Sequence, residues 1–155
     1  MMENLASNRD RLAVIAISQN DALIWRHGIG PEDLPEHVRP PLEVDHRHRR
    51  TGQNDHGHDT AHRFPEYFEE IAEMVRGYDA ILIIGHGKSK GAYHETLRDF
   101  LARKHPDLSE KVLETLSLDL SSLSEGEITK HARSWFQKNF RKLATWHDRQ
   151  SPKWF

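Results

Sequence analysis

The sequence contains no cysteine, and this absence excludes three kinds of chemistry. Disulfide bonds, thiolate metal sites and thiol nucleophiles all need a sulfur that this chain of 155 residues lacks. No apolar run approaches the roughly 18 residues of a membrane span, and residues 1–10 lack the apolar stretch of a secretory signal. We therefore expect a cytoplasmic protein without a membrane partner, in which residues 1–10 form a flexible N-terminus.

A strong excess of charge of either sign is also missing. The chain has 22 Lys and Arg against 24 Asp and Glu, a formal net charge of −2. Such a balance argues against a uniformly nucleic-acid-binding surface, so any RNA contact must come from local patches. The length is typical of one domain, which we expect to span residues 11–146, followed by a C-terminal tail at 147–155.

The first strands are predicted from a short apolar pattern. The continuous apolar run at 12–17 is typical of a strand buried on both faces, and the turn residues at 19–21 lead into a second strand at 22–26. These segments predict an N-terminal hairpin. Several prolines make residues 31–42 irregular, and residues 42–44 are expected to add a short edge strand.

Helical patterns separate the later strands, which are predicted at 80–84 and 112–118. Pro65 stands at a favoured first-turn position and predicts the start of a helix, and a second helix covers about 90–104. Ser124 and Glu127 form a capping box that begins a third helix, which we expect to run beyond residue 136 toward residue 146. Strands that alternate with helices imply parallel pairing. We predict an α/β fold with a mixed sheet that starts with an N-terminal hairpin and has helices on both faces.

The segment at 45–63, which we call the basic segment, has a composition unlike the rest of the chain. It holds five histidines and four arginines, and Ala61 is its one aliphatic residue. Such a segment does not build a core, so we expect a mobile loop that meets a partner or stands in solvent. At its centre Gly52 and Gln53 make a short step that ends in an uncharged amide.

The order of these elements and three blocks of sequence resemble the middle domain of the archaeal and eukaryotic class 1 peptide-chain release factors and of Pelota. The likeness is strongest to their small bacterial relatives, of the translational machinery protein or host attachment protein type. The blocks are HRHRRTGQ at 46–53, DAILIIGHGKSKGAYHETLRDFLARKHPDL at 79–108 and VLETLSLDLSSLSEGEITKHA at 112–132. The resemblance covers about residues 11–136 and implies an RNase H-like sandwich.

In release factors the corresponding loop carries a Gly-Gly-Gln motif that enters the ribosomal peptidyl transferase centre. The resemblance therefore implies a partner in the ribosome, its RNA or tRNA, and peptidyl-tRNA hydrolysis in ribosome rescue or stress. Gly52 would allow close approach of the backbone, and the Gln53 amide would position a water molecule. The cations expected to contact RNA are Arg47, Arg49, Arg50, Arg63 and Lys88.

The sequence departs from the motif at Thr51, which stands where the first glycine belongs. A β-branched residue resists the left-handed conformations that glycine permits, at a cost of roughly 1–2 kcal/mol. Two interpretations therefore remain open, a peptidyl-tRNA hydrolase and a non-catalytic ribosome- or RNA-binding module. The chain has no room for a codon-reading domain, so stop-codon-specific release is not expected.

The histidines of the basic segment support a third interpretation, a metal-dependent hydrolase. His56, His58 and His62 lie close together with two aspartates among them, and imidazole and carboxylate groups suit zinc or nickel. The order of residues matches neither the HxHxDH pattern of binuclear zinc hydrolases nor the HExxH helix. Without that metal no cofactor is expected, and near pH 6 the histidines would gain charge and favour anionic partners.

Two further patterns in the sequence resemble ligand sites. The sequence GHGKS at 85–89 lacks the earlier glycine of a nucleotide-binding loop, because Leu82 occupies that position. Its glycines are expected to form a strand-to-helix turn, with Lys88 as an anion contact at the helix N-terminus. Residues 130–155 interleave basic and aromatic side chains, which suits either base stacking or an amphipathic helix that packs its rings inward.

Overall fold

A five-stranded mixed sheet forms the centre of the structure, which is a computed structural model. The structure describes residues 11–40, 56–87 and 92–139, of which 56–64 are described by their backbone alone. The spatial order of the strands is β3-β2-β1-β4-β5. Their bounds are β1 Leu12–Ile17, β2 Ala22–Trp25, β3 Glu36–Val38, β4 Ala80–His86 and β5 Val112–Leu118.

The strand directions distinguish the two ends of the sheet, because its parallel strands all begin at one end and finish at the other. β1 and β2 are antiparallel, with Ile17 opposite Ala22, whereas β1 and β4 are parallel, with Leu12 opposite Ala80. β5 lies parallel to β4 on the outer side. The predicted hairpin and the predicted parallel pairing are confirmed. We call the end where β1, β4 and β5 finish the carboxyl edge, and the end where they begin the amino edge.

Helices cover both faces of the sheet, as predicted. Their bounds are α1 His56–Met74, α2 Tyr93–Lys104, α3 Pro106–Ser109 and α4 Glu125–Asn139, with a 3-10 turn at Leu120–Ser122. α1 and α2 pack on one face, and α4 packs on the other. Among the described residues, no helix has the length and apolar character that a membrane span requires.

The central strand β1 is buried along its whole length because both of its faces are covered. Ile15 faces the cluster formed with α1 and α2, and Val14 faces the cluster formed with α4. Burial of an aliphatic side chain of this size contributes about 1.5–3 kcal/mol to stability. The continuous apolar run in the sequence therefore reports a strand between two helical layers.

The prediction that residues 31–42 are irregular was wrong at one point. Glu36–Val38 forms β3, which pairs antiparallel with β2 at the edge of the sheet. Pro35 and Pro40 flank this strand without breaking it, because a proline beside an edge strand removes no essential ladder hydrogen bond. The strand predicted at 42–44 lies outside the described residues.

The predicted start of the first helix was also wrong, because α1 begins at His56 and contains Pro65 in its interior. Residues 56–63, which we expected to belong to a mobile loop, are therefore helical in the backbone. A lack of apolar residues argues against burial but not against a helix, whose hydrogen bonds join backbone groups. Pro65 removes one N–H donor from that pattern and its ring crowds the carbonyl four residues earlier, which weakens the helix locally without ending it.

The predicted capping box at the start of α4 is confirmed. The Ser124 hydroxyl accepts a hydrogen bond from the Glu127 N–H at 3.1 Å, and the Glu127 carboxylate accepts one from the Ser124 N–H at 2.8 Å. Farther along α4, Arg133 donates to the Ile29 carbonyl at 2.8 Å. These contacts fix where α4 begins and how it lies on the sheet.

Candidate site at the carboxyl edge of the sheet

A cavity of about 590 Å³ opens at the carboxyl edge. Its walls come from the β1–β2 turn, the end of β4, the start of α2, the 3-10 turn and the start of α4. Ligands of α/β sheets bind outside the carboxyl ends of parallel strands, where loops and helix termini converge. The volume falls within the range of about 300–1,000 Å³ that small-molecule sites occupy.

The cavity combines an apolar floor with polar groups. Leucine, isoleucine and tyrosine side chains contribute the apolar part, in particular Leu23, Tyr93, Leu120, Leu123 and Ile128. The polar lining includes two amides, an imidazole, a hydroxyl and a carboxylate, which belong to Gln19, Asn20, His86, Ser121 and Glu125. Such a lining suits a partly apolar ligand that carries several hydrogen-bonding groups.

The β1–β2 turn presents its two amides on a fixed backbone. The Ser18 hydroxyl accepts hydrogen bonds from the Asn20 and Asp21 N–H groups at 3.2 and 3.3 Å. The Tyr67 hydroxyl of α1 donates to the Ser18 carbonyl at 2.8 Å. Burial raises the pKa of Tyr67 above its ordinary value, so the phenol stays protonated and keeps donating.

His86 contributes a hydrogen-bond donor to the cavity. The Leu120 N–H donates to His86 Nδ1 at 3.1 Å, so a neutral imidazole must carry its proton on Nε2. Asp119 Oδ1 lies 3.5 Å from the same Nδ1. Hydrogen bonds from Ser121 and Ser122 lower the pKa of Asp119, and His86 lowers it further. In the neutral state His86 therefore offers N–H to a ligand and does not act as a base through Nδ1.

His94 lies beneath this site and is fully buried. Its Nε2 is 3.0 Å from the Ser117 hydroxyl on β5, and its Nδ1 has no partner among the described residues. Gly85 makes room for the ring, because a Cβ on Gly85 would overlap it. A nucleophile–base pair needs a third group that orients the base. The arrangement instead favours a positioning role, in which His94 fixes the start of α2 against β4 and β5.

The structure does not test the site residues predicted from the sequence. Gly52, Gln53, Arg47, Arg49, Arg50 and Lys88 lie outside the described residues, and Arg63, His56, His58 and His62 belong to the part of α1 described by its backbone alone. Among the described residues, no group of three or more His, Asp or Glu side chains is arranged to hold a metal ion. The catalytic, RNA-binding and metal assignments therefore stay predictions.

The described backbone on both sides of residues 41–55 comes to the carboxyl edge. Val38 at the end of β3 pairs with Ala22, which pairs with Ile17 at the end of β1. On the other side, α1 runs from His56 past Tyr67, which bonds the β1–β2 turn. The stretch at 88–91 is likewise flanked by His86 and Ala92, which both line the cavity. Val38, Tyr67, His86 and Ala92, which precede or follow these two parts of the sequence, thus lie at the edge that carries the cavity.

Several residues of this site escaped the sequence analysis. Asn20 and Glu125 stand in ordinary turn and helix-start positions, so the sequence gives no sign that they face one cavity. His94 was not singled out by the sequence, and the structure places it in the buried interior. One signal was available, because a glycine within a strand pattern, here Gly85, often marks close approach of another group.

The comparisons with known proteins give structural likenesses and no match in sequence. No protein-family model matches the chain, and no curated protein matches it in sequence. Among solved structures, the chain is similar to Pelota of Archaeoglobus fulgidus, whose crystal structure was described for its inter-domain structural plasticity, with 14% identity and a TM-score of 0.46. The likeness covers 90% of this chain and 40% of that chain, so this chain spans about two fifths of the Pelota chain. Membership of the release-factor and Pelota family stays a prediction from the sequence.

Proposed function

We propose that this protein binds ribosomal RNA or tRNA through the carboxyl edge of its sheet, in a translation-associated role. The observation that carries the proposal is the course of the described backbone on either side of residues 41–55 and 88–91, which contain Arg47, Arg49, Arg50 and Lys88. The backbone that flanks residues 41–55 and the backbone that flanks residues 88–91 both come to this edge. These two parts of the sequence contain the clusters HRHRR at 46–50 and KSK at 88–90, and cations of this kind suit the phosphates of a polyanion.

The charge pattern supports a local contact of this kind. The chain as a whole carries a net charge of −2, whereas Arg47, Arg49 and Arg50 stand within four consecutive positions. Each phosphate that such cations neutralise releases counterions, so binding weakens steeply as salt rises. Guanidinium groups also form paired hydrogen bonds with phosphate oxygens, which adds geometric fit to charge.

Ribosome co-sedimentation at several salt concentrations tests this proposal. We expect the wild type to sediment with ribosomes at low salt and the Arg47→Ala/Arg49→Ala/Arg50→Ala variant to lose most of that binding. The matched control removes the same charge elsewhere, by changing the exposed Arg76, Arg98 and Arg103 to Ala. Equal loss in both variants would show a nonspecific charge effect, and absence of wild-type binding at low salt would contradict the proposal.

Hydrolysis of peptidyl-tRNA is the catalytic form of the same proposal, with Gln53 as the group that positions water. We expect purified protein to lower the amount of peptidyl-tRNA on stalled ribosomes and Gln53→Ala to abolish this activity while it still co-sediments. Thr51→Gly, which restores the motif, should raise the rate. If wild type and Gln53→Ala behave alike, the protein has no catalytic role through this residue and the binding function remains.

A zinc or nickel site is the second candidate function. Because α1 already begins at His56, the backbone positions of His58 and His62 are separated by one helical turn, a spacing at which two residues can bind one ion. Metal analysis of untagged protein after mild chelation tests this candidate. We expect about one equivalent of metal in the wild type and loss of it in His58→Ala/His62→Ala. If wild-type protein that contains no metal still hydrolyses peptidyl-tRNA, the metal-dependent function is ruled out.

A further inference from the structure

We infer that the cavity at the carboxyl edge binds a nucleobase that carries an exocyclic amino group. The apolar floor is the first reason. Tyr93, Leu120 and Ile128 line the cavity together with other aliphatic side chains. A planar base gains most when its faces lie against aromatic and aliphatic groups, and stacking on such groups is independent of base identity.

The two amides of the β1–β2 turn give the cavity a means of reading the edge of a base. Gln19 and Asn20 are exposed residues of the cavity lining, and their side chains make no hydrogen bond with any described residue. Each amide offers a donor and an acceptor side by side. That pair matches the neighbouring acceptor and amino donor that an adenine presents, and this is how Asn and Gln recognise adenine elsewhere.

The charges in the lining favour an amino group and disfavour a phosphate. Among the described lining residues, the carboxylates are Asp21 and Glu125, and neutral His86 adds an N–H donor. The Asp21 carboxylate lies 3.5 Å from His37 Nδ1, whereas the Glu125 carboxylate makes no hydrogen bond or ion pair with the described residues. Glu125 is therefore available to accept a hydrogen bond from an exocyclic amino group, as carboxylates do from cytosine.

Two sources can supply such a base, a free nucleoside and an unstacked base of single-stranded RNA. The first needs only the cavity. The second rests on the proposed function, because the phosphates on either side of the base would need the cations proposed to contact RNA, such as Arg47, Arg49 and Arg50. The chemistry inside the cavity is the same in both cases.

Titration of the 155-residue protein with nucleosides and short RNA tests the inference. The probes are adenosine, cytidine and uridine, together with short single-stranded oligoadenylate and oligouridylate, and binding is followed by calorimetry or by protein chemical shifts. We expect adenosine and cytidine to bind about tenfold or more tightly than uridine, because a hydrogen bond to a carboxylate is lost with uridine. Glu125→Gln should remove most of that preference.

A pair of neighbouring serines provides a blocking variant and its control. Ser121 and Ser122 are both exposed in the 3-10 turn and both bond to Asp119, but only Ser121 lines the cavity. We expect Ser121→Trp to fill the cavity and weaken binding by at least about tenfold. Ser122→Trp should bind as the wild type does. Thermal unfolding of both variants checks that each one folds.

Each outcome of the titration decides one question. Saturable binding that only Ser121→Trp removes supports the inference, and if oligoadenylate binds while the nucleosides do not, the base comes from RNA. Absence of saturable binding by every probe, or equal binding by wild type and Ser121→Trp, overturns it. The Arg47→Ala/Arg49→Ala/Arg50→Ala variant should keep nucleoside binding while it loses ribosomes. Nucleoside binding therefore tests the inference independently of the proposed function.

Discussion

The cavity at the carboxyl edge contains side chains without a partner among the described residues, whereas Arg26 and Tyr78 at the amino edge bond to backbone carbonyls. At the amino edge Arg26 donates to the Met74 carbonyl at 3.2 Å and pairs with Glu36 at 2.7 Å. The Tyr78 hydroxyl donates to the Arg26 carbonyl at 2.8 Å. At the carboxyl edge the side chains of Asn20 and Glu125 line a cavity and have no partner among the described residues.

This difference separates the groups that hold the fold together from those that are available to a ligand. An internal hydrogen bond contributes about 1 kcal/mol to stability, so the contacts of Arg26 and Tyr78 secure β2, β3 and the end of α1. An exposed amide without a protein partner contributes little to stability and can be satisfied by a ligand instead. Substitutions at the two edges should therefore change different properties.

The largest expected effect comes from close packing beneath the carboxyl edge. Gly85→Ala would place a methyl group in the space of the buried His94 ring. We expect the free energy of unfolding to fall by about 1–3 kcal/mol, because the methyl group would have to displace a ring that is fully buried. Chemical denaturation measures this loss.

Gly126→Ala provides the control for that substitution. Gly126 lies in the first turn of α4 and a Cβ there meets nothing within 4 Å. Alanine should leave the free energy of unfolding unchanged or raise it by up to about 1 kcal/mol. Similar losses of stability in both variants would show that the loss at Gly85 does not come from overlap with the His94 ring.

The next largest effect is a contrast between one substitution at the amino edge and one at the carboxyl edge. We expect Arg26→Met to lower the free energy of unfolding by about 1–2 kcal/mol and to leave RNA and nucleoside binding unchanged. Asn20→Ala should show the reverse, with stability changed by less than about 0.5 kcal/mol and weaker nucleoside binding. Denaturation and titration of both variants measure the contrast. If Asn20→Ala lost stability and kept binding, the division between the edges would be wrong.

The cap of α4 tests whether a wall of the cavity depends on local structure. Ser124→Ala removes the hydroxyl that accepts from the Glu127 N–H, and such a loss costs about 1 kcal/mol. Fraying of the first turn would also displace Glu125 and reduce the preference for amino-bearing bases. Ser122→Ala serves as the control, and we expect it to change stability by less than about 0.5 kcal/mol. An equal loss in both would contradict the capping role.

The smallest predicted effect is a dependence of stability on pH through His94. Burial lowers its pKa in the folded state below the ordinary 6.5, Arg98 and His86 lower it further, and Glu95 opposes them. The unfolded chain keeps the ordinary value. As pH falls below about 6.5 the unfolded state takes up a proton that the folded state resists, so stability falls.

His94→Gln isolates this contribution, because its amide can still bond Ser117 and does not titrate. Denaturation at about pH 7.5 and about pH 5.5 should show a smaller decrease in stability for the variant than for the wild type. The same decrease in both proteins would mean that other groups set the pH dependence. The variant's own stability at pH 7.5 is the reference for the comparison.

The elements that the sequence predicted correctly depend on neighbours in the chain. Burial on both faces gives β1 its continuous apolar run, and β5 matches the predicted range 112–118. Ser124 and Glu127 recognise each other across three residues, so the start of α4 was visible as a motif. Apolar periodicity and capping motifs depend on residues that are close together in the sequence. The folded structure keeps them because no contact with a distant part of the chain competes with them.

The elements that the sequence missed depend on contacts between distant parts of the chain. β3 is a strand because β2 offers it a partner, not because of its own three residues. The burial of His94 requires Gly85 and Ser117, which come from two strands, and the cavity joins segments from residue 16 to residue 128. No periodicity within one segment carries such information.

The salt dependence of RNA binding tests the central claim, that the carboxyl edge is the recognition edge, most directly. The measurement is the slope of log affinity for single-stranded RNA against log salt, for the wild type, for the Arg47→Ala/Arg49→Ala/Arg50→Ala variant and for the Arg76→Ala/Arg98→Ala/Arg103→Ala variant. We predict that the slope falls by about two or more in the first variant and stays at the wild-type value in the second. Equal slopes in all three proteins, or a larger change in the second variant, would contradict the account.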